Sequence, residues 1–194
     1  MRERKLFHPA SLSDPRYQAE LGLLRPSKLK KSIVTMTALQ LPSGWQRLSD
    51  RTDEAYTPER ISVLREDEIF VFGSNLLGHH MGGAARTARR VFNAEMGISE
   101  GLTGQAYALP TLDKDMRCVA PEALCASFQS LLRFALDHPM LTFYLTEVGC
   151  GIAGWSAEEV SDLLWEAVRE LSEEAYELQA MPANLLIPKR FSKS

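Results

Sequence analysis

The sequence predicts a three-layer α/β/α domain, with helices covering a mixed sheet, behind an irregular N-terminal extension. Three observations lead there. From Ile61 onward, short apolar β-rich runs alternate with amphipathic stretches of helical spacing. Two of the runs empty into glycine-rich connections that lead straight into such stretches. Residues 1–60, in contrast, are poorly periodic and punctuated by Pro9, Pro15, Pro26, Pro42 and Pro58. The chain therefore divides into an extension over 1–60, with a short strand near Ser32–Met36, and an α/β domain over 61–194.

The elements follow in order. Glu68–Phe72 is an apolar run bounded by acids and a glycine, which is the signature of a buried strand. After the first glycine-rich stretch, Ala84, Ala88, Val91 and Phe92 share one helical stripe, while Arg86, Arg89, Arg90 and Asn93 face away; Gly97 is a natural stop. Gly101–Gly104 reads as a loop, and Gln105–Leu109 as a strand ended by Pro110. A second helix runs from about Pro121, suited to a first turn, to His138, with Pro139 as terminator. Its apolar face is Leu124, Phe128, Leu131, Leu132, Ala135 and Leu136. Leu141–Leu145 alternates and is β-rich, hence a strand. Ser156 and Glu159 have the spacing of a capping box, and Val160, Leu163, Leu164, Ala167, Val168 and Leu171 form the stripe of the helix they start. Asn184–Ile187 is a last short strand.

Composition excludes some classes. The 194 residues are 45% hydrophobic and 24% charged, with a net charge of −3, which is ordinary for a globular protein and gives no reason to expect a whole-protein nucleic-acid clamp. Residues 1–35 carry eight Lys or Arg against three Asp or Glu, about +5, so the remainder stands near −8. Such a leader fits a nucleic-acid arm, a targeting segment or a bystander tail; Met36 begins a chain that still holds the whole domain. No apolar run follows the basic start as in a secretory signal, and none is long enough to span a membrane. Cys118, Cys125 and Cys150 lack metal-ligand spacing and read as free thiols, which fits a cytoplasmic location. No metal or cofactor is expected.

The chemistry concentrates in the two glycine-rich connections, Gly73–Gly83 and Gly149–Gly154. Glycines let the main chain approach a ligand closely. The free N–H groups and dipole of a helix start favour an anion there. Neither loop has a lysine in Walker spacing, and neither matches the dinucleotide fingerprint G-x-G-x-x-G. One such loop alone is more often only a tight turn. Two on neighbouring strands have the means to converge on one ligand.

The residues also carry a resemblance. Glu68-Ile-Phe-Val-Phe-Gly-Ser-Asn75, Gly78-His79, Gly83-Ala84-Ala85, Gly101-Leu-Thr-Gly104, Ala106-Tyr-Ala-Leu-Pro-Thr111 and Val148-Gly-Cys-Gly-Ile-Ala-Gly154 resemble, in the same order, a bacterial and phage family of macro-like domains. The resemblance covers about Ile61 to Phe191. It implies an α/β/α macro-like fold and binding of ADP-ribose or an ADP-ribosylated macromolecule, with hydrolysis of an ADP-ribosyl bond in some branches. It implies that Asn75, with Gly73 and Ser74 beside it, meets the distal ribose, that Gly82, Gly83 and Ala84 form a first phosphate loop, and that Gly149, Cys150, Gly151, Ile152, Ala153 and Gly154 form a second. The adenine-holding acid of such domains has no assigned counterpart; Asp67 and Glu68 lie nearest in sequence.

For catalysis the candidates are Asn75 to position the sugar, with His80 or Glu147 as acid or base. His79 joins the binding set. Each has a plainer alternative: His79 and His80 as solvated loop residues, Glu147 as a surface acid, Cys150 as a small side chain rather than a nucleophile. Asp113, Lys114 and Asp115 read as a solvated loop. The rival to the whole reading is a scaffold or nucleic-acid-associated protein with a vestigial pocket, driven by the basic leader.

Overall fold

The computed structural model describes residues 40–52 and 56–193. The strand expected near Ser32–Met36 lies outside them.

Strand β2 (Glu68–Asn75) is the backbone of the fold. It pairs in parallel with β4 (Ala106–Leu112) on one side and with β5 (Thr142–Leu145) on the other. Strand β7 (Leu185–Leu186) extends the sheet in parallel beyond β5, and β3 (Gly101–Thr103) closes the other edge antiparallel to β4. The sheet is thus mixed, in the order β3-β4-β2-β5-β7.

Residue alternation along the two central strands creates two cores. Ile69 and Val71 of β2, with Tyr107 and Leu109 of β4, face the helices α2 (Pro121–Asp137) and α3 (Ala157–Leu171). Phe70 and Phe72, with Ala106 and Ala108, face α1 (Gly83–Val91) and its neighbour Phe92. Every β2 residue but Gly73 is buried, as expected of a strand covered on both faces. The first core is built from large aliphatic and aromatic side chains. The second is thin and rich in alanine, which lets α1 approach the sheet closely and lets Phe92 reach Phe70 at a ring distance of 4.8 Å. The three-layer α/β/α arrangement follows from this alternation.

Two helix-start signals held. Ser156 Oγ accepts the Glu159 N–H at 3.1 Å, and the Glu159 carboxylate accepts the Ser156 N–H at 2.8 Å, so the capping box starts α3 as expected. Pro121 opens α2 at its first turn. Three expectations need correction. Gly97 does not end the first helix: α1 stops at Val91, with Phe92 as its C-cap, and Val91 is exposed rather than part of a buried stripe. Pro110 does not end its strand: β4 runs on to Leu112. Pairing with β3 stops at Ala108, and the register against β2 shifts between Ser74 and Asn75, so the missing proline N–H falls at a bulge. Gly101–Gly104 is not a simple loop either. Gly101–Thr103 pairs as β3, and Gly104 turns the hairpin at φ +55°.

Trp45–Arg47, within the segment read as an extension, forms β1 and pairs antiparallel with β6 (Ala180–Pro182). Leu48 is buried in the first core, and the Arg51 guanidinium donates to the carbonyls of Pro182 and Leu185 at 2.7 and 2.6 Å. A short α4 (Glu173–Glu177), capped by Ser172, precedes β6. Among the described residues, no helix is long and apolar enough to cross a membrane.

Candidate functional site

Because β2, β4 and β5 are parallel, their C-terminal ends open on the same edge of the domain. β2 ends at Asn75, which is almost fully buried and organises the first loop. Its Oδ1 accepts the N–H groups of Leu77 and His79, both at 3.1 Å, and its Nδ2 donates to the His79 carbonyl at 2.8 Å. One Nδ2 hydrogen has no acceptor among the described residues. Gly78 finishes the turn at φ +65°, donating to the Asn75 carbonyl and accepting from Gly97 N–H at 3.0 Å.

The loop delivers the chain to the start of α1. Gly82 is the N-cap, with no side-chain cap and no acid in the first turn. Among the described residues, the N–H groups of Gly83, Ala84 and Ala85 have no acceptor; the helical ladder begins with Arg86 N–H to Gly82 O. This is an exposed positive helix end.

The second loop leaves β5. Val148 N–H bonds to Thr146 O, Gly154 N–H to Gly151 O and Trp155 N–H to Gly149 O, which folds the stretch into successive tight turns. The N–H groups of Gly151, Ile152 and Ala153 are left without partners among the described residues. Gly149 adopts φ +78°, and a β-carbon there would lie 3.1 Å from Trp155 Cδ1. A β-carbon on Gly151 would meet nothing within 4 Å, so this glycine faces open space.

The two loops face each other across one cleft of about 150 Å³. At the mouth, a β-carbon on Gly82 would come within 3.3 Å of Ile152 Cδ1. Of the residues selected from sequence, Gly73, Ser74, Asn75, His79, Gly82, Gly83, Ala84, Glu147, Gly149, Gly151, Ile152 and Ala153 line this cleft; His80, Cys150 and Gly154 do not. The Ser74 hydroxyl is committed to Ser99 O, so Ser74 offers the cleft little beyond its position.

His80 corrects the sequence reading. It is neither a solvated loop residue nor a group on the cleft. Its ring is fully buried in the second core, edge-on to Phe72 at 4.9 Å, and among the described residues neither nitrogen has a hydrogen-bond partner. Burial lowers its pKa, outweighing the nearby backbone of Glu95 and Ile98, and the charges of Arg89 and His79 act in the same direction as burial. The folded chain therefore holds His80 neutral, while the unfolded chain takes up a proton below about pH 6.5. Stability is full above that pH and is lost as pH falls from there toward the lower folded value. Thermal melts from pH 7 to 5 are expected to fall, and His80→Phe, which keeps a ring without burying a titratable group, to flatten that decline. An equally steep decline in the variant would exclude His80 as the source.

Glu147 stands at the rim, partly exposed, with its carboxylate 3.0 Å from Arg190 Nη1. Cys150 turns inward against the first core, its thiol near Val148 O at 3.7 Å. Burial and then Glu147 push its pKa up, the opposite of what a thiolate nucleophile needs. Asp67 and Glu68 lie at the far end of β2 from Asn75, with Glu68 bonded to Arg65 and to Tyr144 Oη, so neither meets a ligand in this cleft.

Sequence reasoning missed the wall made by Thr111 and Leu112 of β4 and by Met116 in the turn that follows. Thr111 donates to Ser74 O at 3.2 Å across the bulge. Met116 lies in a turn between the bridged residues Leu112 and Cys118, with φ +61°. For a residue other than glycine this costs about 1 kcal/mol. The Asp113 carboxylate holds the turn by accepting the N–H groups of Asp115 and Arg117 at 2.8 and 2.9 Å. Asp113 is therefore a turn-former rather than a merely solvated acid.

On the β7 side lies a second, larger hollow of about 860 Å³, lined by Glu59, Arg60, Phe70, Lys189 and Arg190 among others. Ala84, Thr146 and Glu147 line both spaces, so the two adjoin. Among the described residues, no group of His, Cys, Asp and Glu is arranged to hold a metal ion. No family model, curated protein or solved structure matches the chain.

Proposed function

We propose that the cleft binds the diphosphate and adjoining ribose of an ADP-ribose-type nucleotide, free or attached to a macromolecule. One observation carries the reading: two sets of unpartnered main-chain N–H groups, Gly83–Ala85 and Gly151–Ala153, border a single cleft at the ends of parallel strands. Such donors suit a diphosphate, whose oxygens accept several hydrogen bonds at once. Walls of glycine and alanine leave room for the main chain to approach it. The larger adjoining hollow offers space for a base, with Glu59 as an acceptor for an exocyclic amine and Arg60 and Lys189 as further lining residues.

The side chains favour binding over hydrolysis. His80 is sealed away, Glu147 is paired with Arg190, and the amide of Asn75 is largely spent on its own loop. His79 is the histidine left on the cleft. Calorimetric titration with ADP-ribose, against AMP and ribose as controls, is expected to give binding that neither fragment reproduces. No heat at millimolar ADP-ribose would remove the reading. Release of ADP-ribose from an ADP-ribosylated protein on incubation with the chain would instead establish hydrolysis. The rival reading, in which residues 1–35 drive nucleic-acid binding, rests on residues outside the described ones.

A further inference from the structure

We infer that Met116 is a specificity-determining residue, covering the group that lies beyond the diphosphate at the β4 end of the cleft. The inference rests on the nucleotide reading above and deepens it. The cleft lies at the strand ends, with the larger hollow adjoining it through Ala84, Thr146 and Glu147 and with Thr111, Leu112 and Met116 lining it on the β4 side. A nucleotide whose diphosphate lies between the loops therefore puts its base toward the hollow and its terminal sugar toward β4.

At that end the wall is Thr111, Leu112 and Met116. Thr111 and Leu112 are buried and fixed in the strand. Of the three, Met116 alone is half-exposed, and it lines the cleft. Its turn is not there by default. Asp113 clamps two N–H groups of the turn, the Asp113 N–H donates to Arg117 O at 2.7 Å, and the backbone at Met116 is held left-handed, where methionine is disfavoured. Strained positions that surrounding bonds enforce cluster at ligand sites. Glycine would satisfy this backbone better, so the turn alone does not explain methionine. A long, polarizable side chain that adapts to an irregular surface does.

The test compares two ligands and two variants in the full chain. Met116→Gly removes the cover and relieves the backbone, so its Tm is expected to equal or exceed that of the parent. Its affinity for ADP-ribose is expected to fall about tenfold and that for ADP, which lacks the terminal sugar, less than about twofold. Met116→Leu, which restores an apolar cover, recovers most of the loss. A merely structural Met116 would change Tm and leave the ratio of the two affinities alone. If the parent binds ADP-ribose and Met116→Gly binds it equally well, or loses both ligands in parallel, Met116 does not read the terminal sugar and this inference alone falls. If the parent binds neither ligand, the nucleotide reading falls and takes the inference with it.

Discussion

Gly78→Ala is expected to destabilise the fold by roughly 3–5 kcal/mol, placing it in the severe tail of single substitutions. Two costs combine. The residue sits at φ +65°, which costs an alanine about 1 kcal/mol or more. The larger cost is a collision: the new β-carbon would lie 2.4 Å from the Gly97 carbonyl carbon and 2.6 Å from Ile98 N. Both are main-chain atoms and cannot swing aside. Gly97→Ala is the internal comparison. It has a similarly left-handed backbone, φ +90°, but open space around the added carbon. Its loss is expected near 1 kcal/mol, from backbone strain alone. Urea unfolding of the two variants separates the terms. A loss below about 1 kcal/mol for Gly78→Ala would mean that the loop and the 94–98 segment are not packed as described.

Gly151→Asp is expected to weaken ADP-ribose binding at least ~100-fold while leaving Tm nearly unchanged. Gly151 is neither left-handed nor crowded, so the fold tolerates a side chain there. A carboxylate projecting into the cleft opposes the diphosphate directly. Two like charges about 4 Å apart repel by about 4 kcal/mol at a protein-surface dielectric, which is ample for that factor. The isosteric Gly151→Asn should lose much less, since it adds the bulk without the charge. Added salt should partly rescue the aspartate variant and not the asparagine one. Equal losses in both would replace the electrostatic argument with a steric one and weaken the case for an anion between the loops.

Much of the fold was legible because its signals are local. Ser156 and Glu159 announce a helix start three residues apart, and the run from Glu68 to Phe72 is apolar enough to be covered on both faces. The two glycine loops were legible for the same reason, and they do share a cleft. What escaped depends on partners distant in sequence. Trp45–Arg47 is a strand only because Ala180–Pro182 lies beside it. Pro110 stays within β4 because β3 has already ended and β2 bulges opposite. His80 reads as a reactive loop residue until Phe72 and the 94–98 segment enclose it. Met116 carries no local signal, since its place over the cleft depends on how Asp113 folds the turn.

A β-carbon on Gly149, at φ +78°, would lie 3.1 Å from the Trp155 indole and 3.4 Å from Val160, so a side chain there strains the backbone and forces the indole to give way. A site made of main chain inherits its grip from what supports it. Exchanging Ile152 or Ala153 alters the decoration of the ring of donors but keeps the donors. Altering the support displaces the donors of the second loop together. On the proposed reading, the strength of anion binding is set in part from below, by an indole that does not line the cleft.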